Sequence, residues 1–165
     1  MGLGDVAVPV VRALVERGET VAAAESLTGG LVAATLVDVP GVSAVFRGGL
    51  VVYATDLKHA LAGVPQGLLT ERGAVDPDVA LALAAGARER CVADWGLGTT
   101  GVAGPDPQDG KPVGLVYVAV TGPSGAAVRE LTCTGSRAEI RAASTAAVLE
   151  LLTERIRASP PGIPR

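Results

Sequence analysis

Along the chain, stretches whose apolar positions recur at helical spacing interleave with short runs rich in β-branched residues. Val6, Val10, Val11, Leu14 and Val15 fall on one side of a helix that Asp5 can cap and that Gly18 stops after Arg17. A short strand over 20–24 follows, and the turn Glu25-Ser26-Leu27-Thr28-Gly29-Gly30 leads into a helix over 31–37 that Pro40-Gly41 ends. Residues 48–54 form a second predicted strand, with Thr55 or Asp56 placed to cap a short helix carrying Lys58. Asp76-Pro77 opens a long alanine-rich helix reaching about Cys91, with the acid as cap and proline at the first helical position. Strands are predicted over 95–101 and 114–121, and Gly122-Pro123-Ser124-Gly125 turns the latter into a hairpin partner over 126–133. The last helix begins with Ser136-Arg137-Ala138-Glu139, a Ser/Glu capping box, and runs to about Ile156; 159–165 is expected to be a frayed tail. Helices alternating with strands, one hairpin among them, predict a single α/β layered domain over 1–158 with a mixed sheet.

A length of 165 residues is consistent with one such domain. Although 48% of the residues are apolar, no uninterrupted apolar run reaches the roughly 18 residues of a membrane span. The start, Met1-Gly2-Leu3-Gly4-Asp5, lacks a basic region followed by an apolar core and a small-residue cleavage site, so cytoplasmic residence is expected. A net charge of −3 without a Lys/Arg cluster argues against a nucleic-acid partner, and one Trp, two Tyr and one Phe are too few for base-stacking platforms. Cys91 and Cys133 stand apart from each other and from the single His59, as expected of core thiols; no metal or cofactor is implied.

Ser26 lies where a strand delivers a hydroxyl to the top of a sheet, ahead of Gly29 and Gly30, which allow the backbone close to a ligand. The helix after it would aim free N–H groups at the same spot, suiting an oxyanion or a phosphate. The same residues also fit an ordinary turn in which Ser26 or Thr28 caps that helix. Tyr53 and Lys58 sit together at the end of the next strand. If Thr55 caps the helix there, Lys58 falls in its first turn, where the dipole disfavours a cation and favours the neutral, proton-accepting form. A solvated lysine beside a core tyrosine is the competing reading. His59 is the rival base, but the next helical position points about 100° away from Lys58.

Gly96-Leu97-Gly98-Thr99-Thr100-Gly101 spells a dinucleotide-binding pattern, yet it leads into a proline-containing loop instead of opening a helix, so the glycines are taken as strand positions of small bulk. The Gly/Pro/Asp loop from Gly101 through Ala103 and Gly104 to Gly114 stands at a strand end, a common place for substrate contacts, or simply connects two strands. Arg137 occupies the first turn of the last helix, one turn before Arg141, where an anionic ligand would account for a cation; pairing with Glu139 or solvent is the alternative.

Together, Ala24-Glu25-Ser26-x-Thr28-Gly29-Gly30, Tyr53 with Lys58, Gly73-Ala74-Val75, Thr100-Gly101-x-Ala103-Gly104-Pro105, Lys111-Pro112-Val113-Gly114 and Gly135-x-Arg137-x-x-x-Arg141 resemble the C-terminal domain of the CinA family over nearly the whole chain. Stand-alone members of that family are nicotinamide-nucleotide amidohydrolases, also called NMN deamidases or PncC. The resemblance implies a three-layer α/β/α domain with a mixed sheet that forms homo-oligomers. It also implies metal-free hydrolysis of the carboxamide of nicotinamide mononucleotide to nicotinic acid mononucleotide and ammonia. Ser26 matches the nucleophile, Lys58 the general base, Tyr53 its partner in proton transfer, and Arg137, or Arg141 one turn on, the functional arginine. Thr28, Gly29, Gly30, Gly101, Ala103 and Gly104 are the further expected substrate-binding positions. Two departures stand out: Gly135-Ser136-Arg137 where many relatives carry Gly-Asp-Arg, and Asp106-Pro107-Gln108-Asp109-Gly110 where relatives commonly have more glycines. A non-catalytic module that binds nucleotides or a partner, and an amidase for a different amide, are the alternatives.

Overall fold

The first helix, α1 (Leu3–Arg17), starts almost one turn before the position its acidic residue suggests. Gly2 is the cap, and Asp5 lies inside the first turn, where its carboxylate accepts the Gly2 N–H at 2.8 Å. An acid suits either position, because both face the unpaired N–H groups of a helix start. Gly18 ends the helix in the left-handed conformation, φ 63°. This computed structural model describes residues 2–161. The remaining elements are β1 (Val21–Glu25), α2 (Leu31–Val37), a 3-10 turn at Val42–Ala44, β2 (Phe46–Val51), α3 (Thr55–Ala60), α4 (Gln66–Arg72), α5 (Pro77–Arg90), β3 (Trp95–Gly101), β4 (Leu115–Gly122), β5 (Gly125–Thr132) and α6 (Arg137–Ala158).

The five strands form one mixed sheet in the order β2-β1-β3-β4-β5. β2, β1 and β3 are parallel, as crossovers through helices require, and β3, β4 and β5 are antiparallel neighbours. Alternation along the strands divides the core. Val21, Ala23, Leu97, Val116, Val118 and Val120 pack with α1, α2 and α6, whereas Ala22 and Ala24 pack on the other face with α4 and α5. The result is the expected three-layer α/β/α arrangement. The chain leaves β1 on one face through α2 to reach β2, and returns through α3, α4 and α5 to β3 on the opposite side of β1. The connections after β1 and β3 therefore diverge and leave a crevice at the carboxyl ends of those strands.

The glycines of β3 have a packing cause. A Cβ at Gly96 would come within 2.0 Å of the Ala84 carbonyl oxygen, and one at Gly98 within 2.3 Å of that of Ala80, so α5 lies directly on the strand backbone. No dinucleotide loop is formed. Gly98→Ala is expected to destabilise the chain by about 3 kcal/mol, read from urea unfolding; an unchanged midpoint would mean that α5 can shift at no cost.

Helix α4 and the 3-10 turn are additions to the predicted elements; both are too short to display a period. The predicted ends of β1, β2, β4 and β5 shift by one to three residues. Of the expected frayed tail, Ser159 is buried, and Arg17 donates to the carbonyls of Ser159 at 3.2 Å and Pro160 at 2.7 Å. Residues 162–165 of that segment lie outside the described residues. Among the described residues no helix is long and apolar enough to cross a membrane.

Candidate active site

Ser26 follows the last residue of β1 and is held from both sides. Its N–H donates to the Thr99 carbonyl at 3.0 Å, while the carbonyl of Glu25 accepts the Val52 N–H at 2.9 Å. The chain then turns sharply. The Gly29 N–H donates back to the Ser26 carbonyl at 3.0 Å, and Gly29 and Gly30 take φ of 55° and 99°, a conformation open to glycine and costly for other residues. Ser26 opens into a cleft of about 280 Å³ at the crevice between the diverging connections. Tyr53, Gly101, Ala103, Gly104 and Arg137 line the same cleft, as do Thr100, Asp106 and Gln108.

The loop after β3 is more ordered than a bare Gly/Pro/Asp stretch suggests. Gln108 and Lys111 exchange backbone hydrogen bonds of 3.1 and 2.8 Å around Asp109 and Gly110, both at positive φ. This is a two-residue hairpin of the kind Asp-Gly favours, a signal that was legible in the sequence. Thr100 Oγ1 fastens the strand end to the segment before α5 by donating to the Ala74 carbonyl at 2.6 Å. Arg137, in the first turn of α6, reaches across the cleft to donate to the Gly104 carbonyl and, at 2.9 Å, to the Tyr53 hydroxyl.

Lys58 is 1% exposed and does not line the cleft; the cap of α3 is Ala54 and not Thr55, so the lysine falls in the last turn of this six-residue helix and not, as expected, in its first. Its Nζ donates to the carbonyls of Val52 at 2.9 Å and Tyr53 at 3.0 Å. In a parallel ladder continued past Val52, that first carbonyl would take the Leu27 N–H. The ammonium thus sits at the β1–β2 junction beside the Ser26 turn, and the Leu27 N–H has no protein acceptor among the described residues. Burial lowers the lysine pKa from 10.5 to about 8. Between those values the unfolded chain binds more protons than the folded one, so stability rises with pH across that window. Below pH 8 the buried charge costs on the order of 3 kcal/mol. Relative to Lys58→Met, the wild type should gain about that much between pH 7 and 10.5 in urea unfolding; a constant difference would show that the lysine titrates normally.

Several expected residues have other duties. Thr28, Gly29, Gly30 and Arg141 do not line the cleft. The Thr28 hydroxyl is buried against that of Thr99 at 2.8 Å, and Gly30 is the N-cap of α2. Arg141 donates to the carbonyls of Leu27 at 2.9 Å and Thr28 at 2.8 Å, so it braces the turn, and the arginine on the cleft is Arg137. His59 Nδ1 is bonded to the Val64 carbonyl at 2.8 Å, away from the cleft. Nor does α2 aim free donors at Ser26. The N–H groups of Val32 and Ala33 are taken by the carboxylate of Glu25, at 2.8 and 3.1 Å. Sequence reasoning passed over Glu25 as a site residue. The signal was a charge closing the apolar run Val21-Ala22-Ala23-Ala24. Among the described residues no group of three or more His, Cys, Asp or Glu is placed to hold a metal ion.

Residues 4–156 match the family model described as the CinA C-terminal domain. A CinA-like protein of Frankia casuarinae is 48% identical over 151 residues, which cover 92% of this chain and 35% of that protein. The chain spans about a third of the length of the relatives it matches. The crystal structure of the competence/damage inducible protein CihA from Agrobacterium tumefaciens superposes with a TM-score of 0.89 at 36% identity, covering 94% of this chain and 95% of that one. A CinA superfamily protein from Klebsiella pneumoniae gives 0.93 at 26% identity, covering 96% and 100%.

Proposed function

The chain belongs to the CinA C-terminal domain family, and we propose that it hydrolyses the carboxamide of nicotinamide mononucleotide to nicotinic acid mononucleotide and ammonia. The observation that carries this reading is the pairing of two adjacent strand ends. One presents Ser26 to a cleft, and the other holds Lys58, buried and with its pKa lowered to about 8. A lysine so placed is partly neutral near physiological pH and able to accept a proton.

Neutral Lys58, assisted by the Tyr53 hydroxyl, takes the proton of Ser26 as Oγ attacks the carboxamide carbon. The Leu27 N–H, unspent within the protein, stabilises the tetrahedral oxyanion. Lys58 returns its proton to the nitrogen, the C–N bond breaks, and ammonia leaves an acyl ester on Ser26. Water then attacks the ester, giving its proton to Lys58 and onward to the departing Ser26 oxygen. Arg137 supplies the cation for the nucleotide phosphate.

The test is ammonia release by the purified chain from nicotinamide mononucleotide, nicotinamide riboside and nicotinamide. Turnover of the mononucleotide is the expected result. Binding without turnover would favour a non-catalytic module, and activity confined to amides lacking the phosphate would mark a different amidase. Arg137→Ala is expected to raise KM for the mononucleotide about 10-fold while leaving that for the riboside within about twofold. An equal change for both would remove the phosphate role.

A further inference from the structure

Glu25 is a carboxylate with 1% exposure at the end of a strand whose other four residues are all buried and apolar. Such a group is costly inside a protein unless hydrogen bonds satisfy it. Both oxygens are satisfied, Oε1 by the Val32 N–H at 2.8 Å and Oε2 by the Ala33 N–H at 3.1 Å. Those donors belong to the first turn of α2, where no intrahelical acceptor exists. The side chain therefore spans the turn 26–30, joining the strand before it to the helix after it.

Glu25 does not act on the proton of Ser26. Its side chain continues the alternation of Val21 and Ala23 toward α1, α2 and α6, whereas Ala22 and Ala24 point to the opposite face. Lys58 owes its lowered pKa to burial alone. What remains is mechanical. The backbone of Glu25 and Ser26 is fixed by β2 and β3, and the carboxylate fixes α2 against that anchor. The two ends of the turn between them, and with them the Ser26 hydroxyl and the Leu27 N–H, are held in register.

We infer that Glu25 is a positioning residue: its carboxylate, clamped on the Val32 and Ala33 N–H groups, holds the Ser26 turn in its reactive geometry. This inference rests on the reading of Ser26 as the nucleophile.

The experiment compares wild type with Glu25→Gln, which keeps the shape but can accept through only one oxygen, and Glu25→Asp, which keeps the charge but loses the reach. Two rates are measured: ammonia release from nicotinamide mononucleotide, and covalent labelling of Ser26 by an alkyl fluorophosphonate, which needs no substrate recognition. In both variants kcat and the labelling rate should fall together by about 50-fold, with KM within about twofold and the folded state retained. A lower melting temperature with both rates unchanged would reduce Glu25 to a helix cap and overturn the inference. So would failure of both variants to fold, which would make Glu25 a core residue. If the wild type labels at Ser26 but releases no ammonia, the proposed substrate is wrong, and the labelling ratio alone decides the role of Glu25. A wild type that neither labels nor turns over overturns both readings.

Discussion

Ser26→Ala is expected to lower ammonia release from nicotinamide mononucleotide by about 10⁴-fold while leaving the melting temperature within about 2 °C of the parent. The two halves of this expectation have separate causes. No hydrogen bond holds the Ser26 hydroxyl among the described residues, so its removal leaves no buried group unpaired. The backbone bonds that place residue 26, to Thr99 and Gly29, do not involve the side chain. In the proposed mechanism, by contrast, all the covalent chemistry passes through that oxygen. Residual turnover above about one per cent would assign the nucleophile elsewhere.

Lys58→Met should cost about 10³-fold in kcat/KM and also change the shape of the pH profile. Wild-type kcat/KM is expected to climb tenfold per pH unit up to about 8, where Lys58 loses its proton, and to level above it. The variant should lack that limb. Methionine fills the buried space but leaves the carbonyls of Val52 and Tyr53 without their ammonium, so the folded state should be checked by circular dichroism at each pH. His59→Ala serves as the control. Its ring is bonded to the Val64 carbonyl outside the cleft, and activity should stay within about twofold of the parent. A loss confined to His59→Ala would exchange the two roles.

Much of this architecture was legible in the residues because local chemistry and long-range packing agree. Asp76-Pro77 opens α5 with its carboxylate on the Asp78 N–H, and Ser136 with Glu139 opens α6 as a reciprocal cap. Strand β3 falls on its predicted bounds. Where expectation and structure part, the reason is non-local. That Gly96 and Gly98 accommodate α5 is invisible until the helix has been placed on the sheet. That α2 has no free donors for a ligand depends on a carboxylate seven and eight residues earlier, brought there by the turn. The sequence favours Arg137 by its place in the first helical turn and keeps Arg141, one turn on, as the alternative. They differ because one turn of α6 separates a side chain crossing the cleft to Tyr53 from one bracing the carbonyls of Leu27 and Thr28. The sequence offered a first-turn dipole as the reason for a neutral Lys58; in the structure the lysine lies in the last turn of α3, and burial at a strand end visible only in three dimensions lowers its pKa.

The Gln108–Lys111 hairpin closes on its own backbone. Part of the cleft wall, Gly104 to Gln108, lies on the connection between β3 and β4, carries neither Ser26 nor Lys58, and is tied to α6 by the Arg137 bond to the Gly104 carbonyl. Ser26 and Lys58 answer to the strand ends, whereas only part of the cleft's contour answers to this connection. Under the proposed function, replacing or lengthening the segment between Gly104 and Gly114 is expected to change which amide is accepted while leaving Ser26 and Lys58 in place. Diversification of substrate range on this scaffold should therefore concentrate there, and grafting the segment between homologous domains is the direct way to exchange their preferences.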